Sequence, residues 1–404
     1  MSGAVSFRIH ASQPGGKARL GLLETPHGAV DTPAFMAVGT QATVKTLDPA
    51  DLAAVGSQII LANAYHLSLR PGAELIARLG GLHSFMGWRG PILTDSGGYQ
   101  LFSLARLAKV TDEGIVFQSH LDGARMNLTP ERAVEIQEAL GPDIAMVLDE
   151  PLGFPHTRDE AESALRRTTV WAERSSAAHT RGDQSLFGIV QGGAFEDLRR
   201  ESARQLVALD LDGYAVGGLC LGERKRETDA LLNAATDLLP AEKPRYVMGM
   251  GTPGDLIRGV GRGADIFDCV MPTRHARRGN LFTRAGRVSI KNAENAEEAG
   301  PIEEGCGCPA CRRGFSRAYL RHLFRAKEML GYRLMTMHNL FFYQELLRGA
   351  REAIRGGEFS DWAEELLAGP LGTDSAGPLG GAGPGRPGPG RPGGPLPEEV
   401  NEAD

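Results

Sequence analysis

Apolar and polar positions alternate along most of the chain in one repeating way: a short apolar run, then a longer stretch with helical spacing. The apolar runs are Thr32–Gly39, Ser57–Leu67, Gly90–Gly98, Asp143–Glu150, Ser185–Gly193, Gly213–Gly222, Arg245–Gly251 and Ala264–Val270, which makes eight strand candidates. Between them the spacing predicts helices at Pro49–Val55, Pro130–Leu140, Asp159–Ala178, Phe195–Leu209, Arg226–Leu239 and Pro253–Gly261, several opened by a capping residue such as Thr129. Eight βα repeats favour an α/β fold closed as a (β/α)8 TIM barrel, with an open doubly wound sheet as the alternative. Upstream, short apolar stretches are broken by the turn-forming clusters QPGG and ETPHG, so residues 1–35 are expected to form hairpins packed on a barrel spanning 36–279.

Polar residues stand where several runs finish: Asp95 after PILT, Asp149 after IAMVL, Gln191 after FGIV and Asp268 after DIF. Barrel enzymes build their active sites at the C-terminal strand ends, so these four are expected to converge on one chemistry. In the last run Asp268 shares a strand face with Ile266 and opposes Asp265, so only one of the two aspartates can face inward. Pro272 ends the run, and residues 273–279 turn polar and basic. The glycine pairs Gly97-Gly98, Gly192-Gly193 and Gly217-Gly218 follow strands, where they permit positive φ or close approach of a ligand.

After Gly279 the alternation stops. Cys306, Cys308 and Cys311 form a C-x-C-x2-C cluster that offers three soft ligands, and a histidine would complete the Cys3His set of a closed, structural zinc site. His322 and His338 are both candidates, and Gly331 lies between them where a helix could break. A zinc-binding subdomain is expected over 280–345 and a closing helix over 346–368. Arg317, Arg321 and Arg325 recur every fourth residue beside Leu320, Leu323 and Phe324, which predicts a helix with one cationic face. Residues 369–404 hold 11 Gly and 8 Pro, the composition of a disordered tail.

Composition changes this picture in two places. The net charge is −6, which argues against a uniformly basic nucleic-acid binder, yet residues 274–334 carry 13 Lys/Arg against 6 Asp/Glu, leaving −13 for the remainder. Such asymmetry is the footprint of a localised phosphate-binding surface. With three of its five cysteines in one cluster, the chain does not read as a disulfide framework. Residues 1–16 lack the pattern of a secretory leader, and no run approaches the roughly 18 apolar residues of a membrane span. A soluble, cytoplasmic protein without membrane contacts is expected.

Thr94-Asp-Ser-Gly-Gly-Tyr-Gln100, Gly188-Ile-Val-Gln-Gly-Gly193, Ala215-Val-Gly-Gly-Leu219, Phe267-Asp-Cys-Val-Met-Pro-Thr-Arg274 and the cysteine cluster follow one another in that order. In this the chain resembles the bacterial tRNA-guanine transglycosylases over roughly residues 5–365. The resemblance implies a TIM barrel with a zinc subdomain, exchanging guanine at the wobble position of GUN-anticodon tRNAs (Asp, Asn, His, Tyr) for the queuosine precursor preQ1. It assigns Asp268 as nucleophile on the ribose C1′ and Asp95 as general acid or base. It assigns Asp149, Gln191, Ser96 and the Gly218 N–H to the guanine edge, and the Leu219 carbonyl, shaped by Glu223, to the aminomethyl group. Tyr99 and Met248 would sandwich the base. His338 becomes the fourth ligand of one structural Zn2+ beside Cys306, Cys308 and Cys311. Arg274, Arg277, Arg278, Arg317 and Arg321 would hold RNA, and a homodimer is implied.

Two departures bear on substrate: Pro151 stands where cysteine is common and Leu221 where valine is common, which leaves the choice among preQ1, preQ0 and direct queuine insertion open. Arg278 stands where asparagine is usual and is expected to add a phosphate contact. A noncatalytic RNA-binding subunit is the alternative of a different class, although such a chain would not need Asp95, Asp149 and Asp268 together. A zinc-dependent hydrolase on the same barrel would need an H-x-H ligand pair on a strand, and the runs carry none.

Overall fold

The computed structural model describes residues 4–104, 108–119 and 121–373. In chain order the strands are β1 (Ser6–Ser12), β2 (Arg19–Thr25), β3 (Gly28–Thr32), β4 (Ala34–Gly39), β5 (Ile60–Asn63), β6 (Ile92–Asp95), β7 (Lys109–Thr111), β8 (Gly114–Gln118), β9 (Arg125–Leu128), β10 (Ile144–Met146), β11 (Ser185–Val190), β12 (Gly213–Val216), β13 (Arg245–Val247), β14 (Ile266–Asp268), β15 (Asn280–Thr283) and β16 (Gly286–Ser289).

Eight of them close into a parallel barrel in the order β4-β5-β6-β10-β11-β12-β13-β14, with β14 pairing back onto β4. All eight apolar runs supply a barrel strand, and the doubly wound alternative is excluded because no open edge remains. Helices follow the strands, among them Pro49–Ala54, Pro130–Leu140, Arg158–Ala178, Glu196–Val207, Lys225–Thr236 and Pro253–Gly261. Thr129 caps its helix by accepting the Arg132 N–H, and Thr157 forms a reciprocal capping box with Glu160, which satisfies N–H groups the first turn would leave unpaired. Phe35, Phe187, Tyr214, Tyr246 and Phe267 are essentially fully buried, each worth roughly 1.5–3 kcal/mol of burial.

Two features exceed the repeat. A three-stranded antiparallel sheet, β7-β8-β9, is inserted between β6 and the helix Pro130–Leu140. Its strands are only three to five residues long, so their alternation signal is weak. At the other end of the barrel the β1-β2-β3 sheet is tied down by Arg19 of β2, whose Nε donates to Asp265 Oδ1 at 2.8 Å. Asp265 is fully buried there. The two aspartates of the last run are thus separated along the strand, Asp265 just before its start and Asp268 at its C-terminal end.

Between β14 and the helix that closes the barrel lie the β15-β16 hairpin, the cysteine cluster and the helix Arg317–Arg325. The closing helix, Met329–Gly356, is one element of 28 residues that crosses the boundary expected at 345/346, because its buried face runs unbroken from the subdomain to the barrel. Gly331 does not break it. The chain reverses earlier, at Lys327 with φ +57°, and Gly331 lies in the first turn, where a Cβ would come 2.8 Å from Leu323 Cβ. The glycine lets the two helices approach. Tyr343 donates its hydroxyl to the Gly251 carbonyl and Gln344 its amide to that of Phe35, which seats the helix against the barrel. Of the tail expected from 369, residues 370–373 form a short helix, Pro370–Thr373, and the remainder lies outside the described residues. Among the described residues no helix is long and apolar enough to cross a membrane.

Candidate active site

Asp268 is the last residue of β14, and β13 beside it is in register so that Tyr246 faces Ile266. Two residues further on, the Tyr246 hydroxyl donates to Asp268 Oδ1 at 2.6 Å, and the Gly249 N–H donates to the same oxygen at 2.8 Å. Burial and the adjacent carboxylate push the Tyr246 phenol well above its usual pKa, so it remains a donor. Burial raises Asp268 as well, opposed by these two hydrogen bonds. One carboxylate oxygen is thereby occupied and aimed, while Oδ2 carries neither bond.

Asp95 ends β6, two strands past β4 around the barrel. Its Oδ2 accepts from Asn63 Nδ2 at 2.6 Å and from Gln100 Nε2 at 3.0 Å, and its Oδ1 from the Ala64 N–H at 3.1 Å. Burial, with a further push from the Asp268 charge, raises it to about 7. A carboxyl that titrates at neutral pH can both give and take a proton there.

Asp149 follows β10. Its Oδ2 accepts from Gln191 Nε2 at 2.7 Å and its Oδ1 from Ser96 Oγ at 3.5 Å, and burial raises it to about 6. The Gln191 amide lies against the next loop so closely that a Cβ on Gly217 would meet its Nε2 at 2.8 Å and one on Gly218 its Oε1 at 2.6 Å. One acceptor group and a row of donors therefore line one wall. Beyond Gly218, the Cys220 and Leu221 N–H groups donate to Glu223 Oε1 and Oε2 at 2.5 and 2.9 Å, and the Thr228 hydroxyl donates to Oε1 at 2.8 Å. A trans peptide points its N–H and C=O in opposite directions, so the Leu219 carbonyl faces away from Glu223. Tyr99, on the helix Gly98–Leu104 that follows β6, is 51% exposed. Met248, at the end of β13, is half-buried.

A family described as Queuine tRNA-ribosyltransferase matches residues 14–369. The chain belongs to this family. It is 54% identical over 364 residues to the queuine tRNA-ribosyltransferase of Pelotomaculum thermopropionicum, covering 90% of this chain and 98% of that protein. Over 358 residues it is 56% identical to that of Syntrophobacter fumaroxidans, covering 89% and 96%. As a queuine tRNA-ribosyltransferase family member the chain is an enzyme, a pentosyltransferase.

In the subdomain, Cys306, Cys308, Cys311 and His338 are gathered so that they could hold a metal ion. The three Sγ atoms lie 3.8, 3.5 and 3.6 Å from His338 Nδ1. Ligands at about 2.3 Å (S) and 2.1 Å (N) of a tetrahedral zinc would stand about 3.6 Å apart, so the donor set fits that ion. His338 Nε2 donates to the Phe282 carbonyl at 2.8 Å, which leaves Nδ1 as the lone pair facing the sulfurs. His322 is exposed on the other helix, its ring stacked on Tyr319, and takes no part.

The expected RNA-facing arginines fall into two groups. Arg274 and Arg277 sit on a short helix, Met271–Arg277, directly after Asp268, and Arg278 follows, exposed. Lys45 joins them: burial and the charges of Arg277 and Arg274 lower its ammonium. Arg317 and Arg321 instead reach loop carbonyls of the subdomain, Arg317 to Pro301 and Ile302 and Arg321 to Asn292.

Sequence reasoning did not single out Tyr246, Asn63, Gln100, Lys45 or Arg199. Tyr246 had a signal: it sits two residues before Met248 in a run that ends beside Asp268 in the barrel order. Asn63 had one too, as the polar residue that closes the apolar run of β5, whereas Gln100 had none, since it reaches Asp95 from a helix.

Proposed function

We propose that the enzyme replaces guanine at wobble position 34 of tRNAs with GUN anticodons (Asp, Asn, His, Tyr) by preQ1, 7-aminomethyl-7-deazaguanine, through a covalent ribosyl intermediate on Asp268. The observation that carries this reading is the carboxylate of Asp268, with Oδ1 held by Tyr246 and Gly249 and Oδ2 left to react. Oδ2 attacks C1′, the C1′–N9 bond breaks, and its electron pair leaves with guanine, which takes a proton from Asp95. An ester to C1′ suits a carboxylate because the same group stabilises the oxocarbenium-like transition states on either side. The entering base then gives its N9 proton to Asp95, N9 attacks C1′, and the Asp268 carboxylate is released.

Asp149 accepts from the N1–H and N2–H of either base, while Gln191 and the Gly218 N–H donate to its acceptors, with Ser96 orienting Asp149. Tyr99 and Met248 cover the two faces of the ring. The outward Leu219 carbonyl supplies the acceptor that the aminomethyl group of preQ1 requires. To reach this pocket the wobble nucleotide leaves its stack. Lys45, Arg274, Arg277 and Arg278 beside Asp268 hold the backbone phosphates, and the charges of Arg317 and Arg321 extend that field.

Zn2+ held by the three thiolates and His338 is structural, since four protein ligands leave no position for water or substrate. Exposed Tyr319, whose ring stacks on Phe315 and His322, and exposed Met329 and Leu330 give the subdomain apolar surface, which supports a homodimer.

The test is incorporation of labelled guanine into a GUN-anticodon tRNA, followed by a chase with preQ1 or queuine. Incorporation that preQ1 displaces and queuine does not supports the proposal. Displacement by queuine alone replaces preQ1 as the substrate, and tRNA binding without incorporation points to a noncatalytic RNA-binding role.

A further inference from the structure

Arg199, on the helix Glu196–Val207, is fully buried. Its Nε donates to the Gly193 carbonyl at 2.9 Å, its Nη1 to that of Gly217 at 2.9 Å, and its Nη2 to that of Gly218 at 2.8 Å. Among the described residues no carboxylate lies within ion-pair distance of it. Burial lowers the guanidinium to about 10, opposed by the more distant charge of Glu223, so it stays protonated at neutral pH. A buried cation held by neutral carbonyls is costly compared with an apolar side chain. What the guanidinium offers instead is geometry, a rigid fork that fixes three carbonyls from two different βα loops.

The directions of those carbonyls decide what faces the base. In a trans peptide the carbonyl and the following N–H point oppositely. The Gly193–Ala194 peptide displays this: its carbonyl is on Arg199, and its N–H donates to His156 Nε2 at 3.0 Å on the other side. With the Gly217 carbonyl on Arg199, the Gly218 N–H is turned the other way. Gly218 holds φ +64°, and its α-carbon lies against the Gln191 amide, which is itself bonded to Asp149. The next peptides are set from the opposite direction, because Glu223 takes the Cys220 and Leu221 N–H groups.

We infer that Arg199 is a positioning residue for base recognition: by holding the Gly217 and Gly218 carbonyls on the buried side of their loop, it presents the Gly218 N–H to the exocyclic oxygen of guanine. Arg199 and Glu223 then act as a cation and an anion behind one segment, the first exposing an N–H and the second exposing the Leu219 carbonyl. This rests on the base-exchange reading above.

The experiment compares the wild-type enzyme, Arg199→Lys and Arg199→Met in exchange of guanine and of 6-thioguanine, which keeps N1–H and N2–H but carries a weaker acceptor at position 6. Lysine retains the charge without the three-way fork. Loss of one aligned donor should raise the guanine KM about tenfold with kcat within about threefold, leave the tRNA KM unchanged, and shrink the wild-type preference for guanine over 6-thioguanine about fivefold or more. A merely structural role would lower the active fraction, and so kcat, without moving that preference. Wild-type KM and preference in a folded variant would overturn the inference. If Arg199→Met does not fold, Arg199→Lys decides by the same criteria. Absence of exchange by the wild-type enzyme would instead overturn the base-exchange reading beneath it.

Discussion

Tyr246 and Gly249 share a single oxygen of Asp268, the phenol at 2.6 Å and the backbone N–H at 2.8 Å. Both bonds favour the ionised carboxylate, which burial disfavours, and neither involves the second oxygen. Replacing Tyr246 by phenylalanine removes a hydrogen bond to a charged group, about 1.5–3 kcal/mol, or roughly one unit or more of pKa. The Asp268 pKa then rises further. The acid limb of the kcat profile of Tyr246→Phe should shift upward by about that amount and kcat at neutral pH should fall about tenfold, with guanine KM unchanged. An unshifted limb would remove Tyr246 from the account.

In the proposed base pocket Asp149 must be ionised to accept from the N1–H and N2–H of guanine. Its pKa is raised to about 6 by burial, so the acceptor is present above that pH and lost as pH falls through it. Guanine KM measured between pH 5 and 8 should rise on the acid side with an inflection near 6, and Asp149→Asn should show a high KM without that inflection. A flat profile in the wild-type enzyme would contradict the assignment.

Glu223 presents two acceptor oxygens to two N–H groups, and an amide presents one. In Glu223→Gln one of the Cys220 and Leu221 N–H groups loses its partner, or the peptide turns over and places an N–H where the preQ1 ammonium needs an acceptor. KM for preQ1 should rise about tenfold or more while that for guanine, which has no aminomethyl group, changes by less than about threefold. Equal losses for both bases would show that Glu223 serves only the fold.

The barrel was readable because each strand lies in a buried apolar run, and the three carboxylates were readable because they close three of those runs. What the sequence withheld was whatever arrives from a different element. Arg199 reads as one charge among several on an amphipathic helix, and its burial follows from two loops folding over it. The β7-β8-β9 insertion escaped for a simpler reason: strands of three to five residues are too short for their alternation to stand out from loop. His338 could not be chosen over His322 by spacing, since the reversal at Lys327 breaks the helix on which that spacing was counted.

A metal held by Cys306, Cys308, Cys311 and His338 would join the cysteine segment to the closing helix, on which Asn339 binds the Phe282 N–H and the Pro272 and Asn280 carbonyls. Stripping it with a chelator, or Cys311→Ala, should lower the melting temperature and loosen the subdomain. Asp268→Asn should retain one zinc per chain by elemental analysis. Loss of zinc in that variant would place the metal in the chemistry instead.

In the proposed mechanism Asp268 carries the RNA between the two half-reactions. The direct measurement is denaturing electrophoresis of enzyme mixed with a GUN-anticodon tRNA, followed by mass spectrometry of the digested complex. A protein–RNA adduct is expected on the peptide containing Asp268, discharged by adding guanine or preQ1 and absent in Asp268→Asn, which should also exchange no guanine. Exchange by Asp268→Asn at the wild-type rate, with no adduct in either protein, would contradict it.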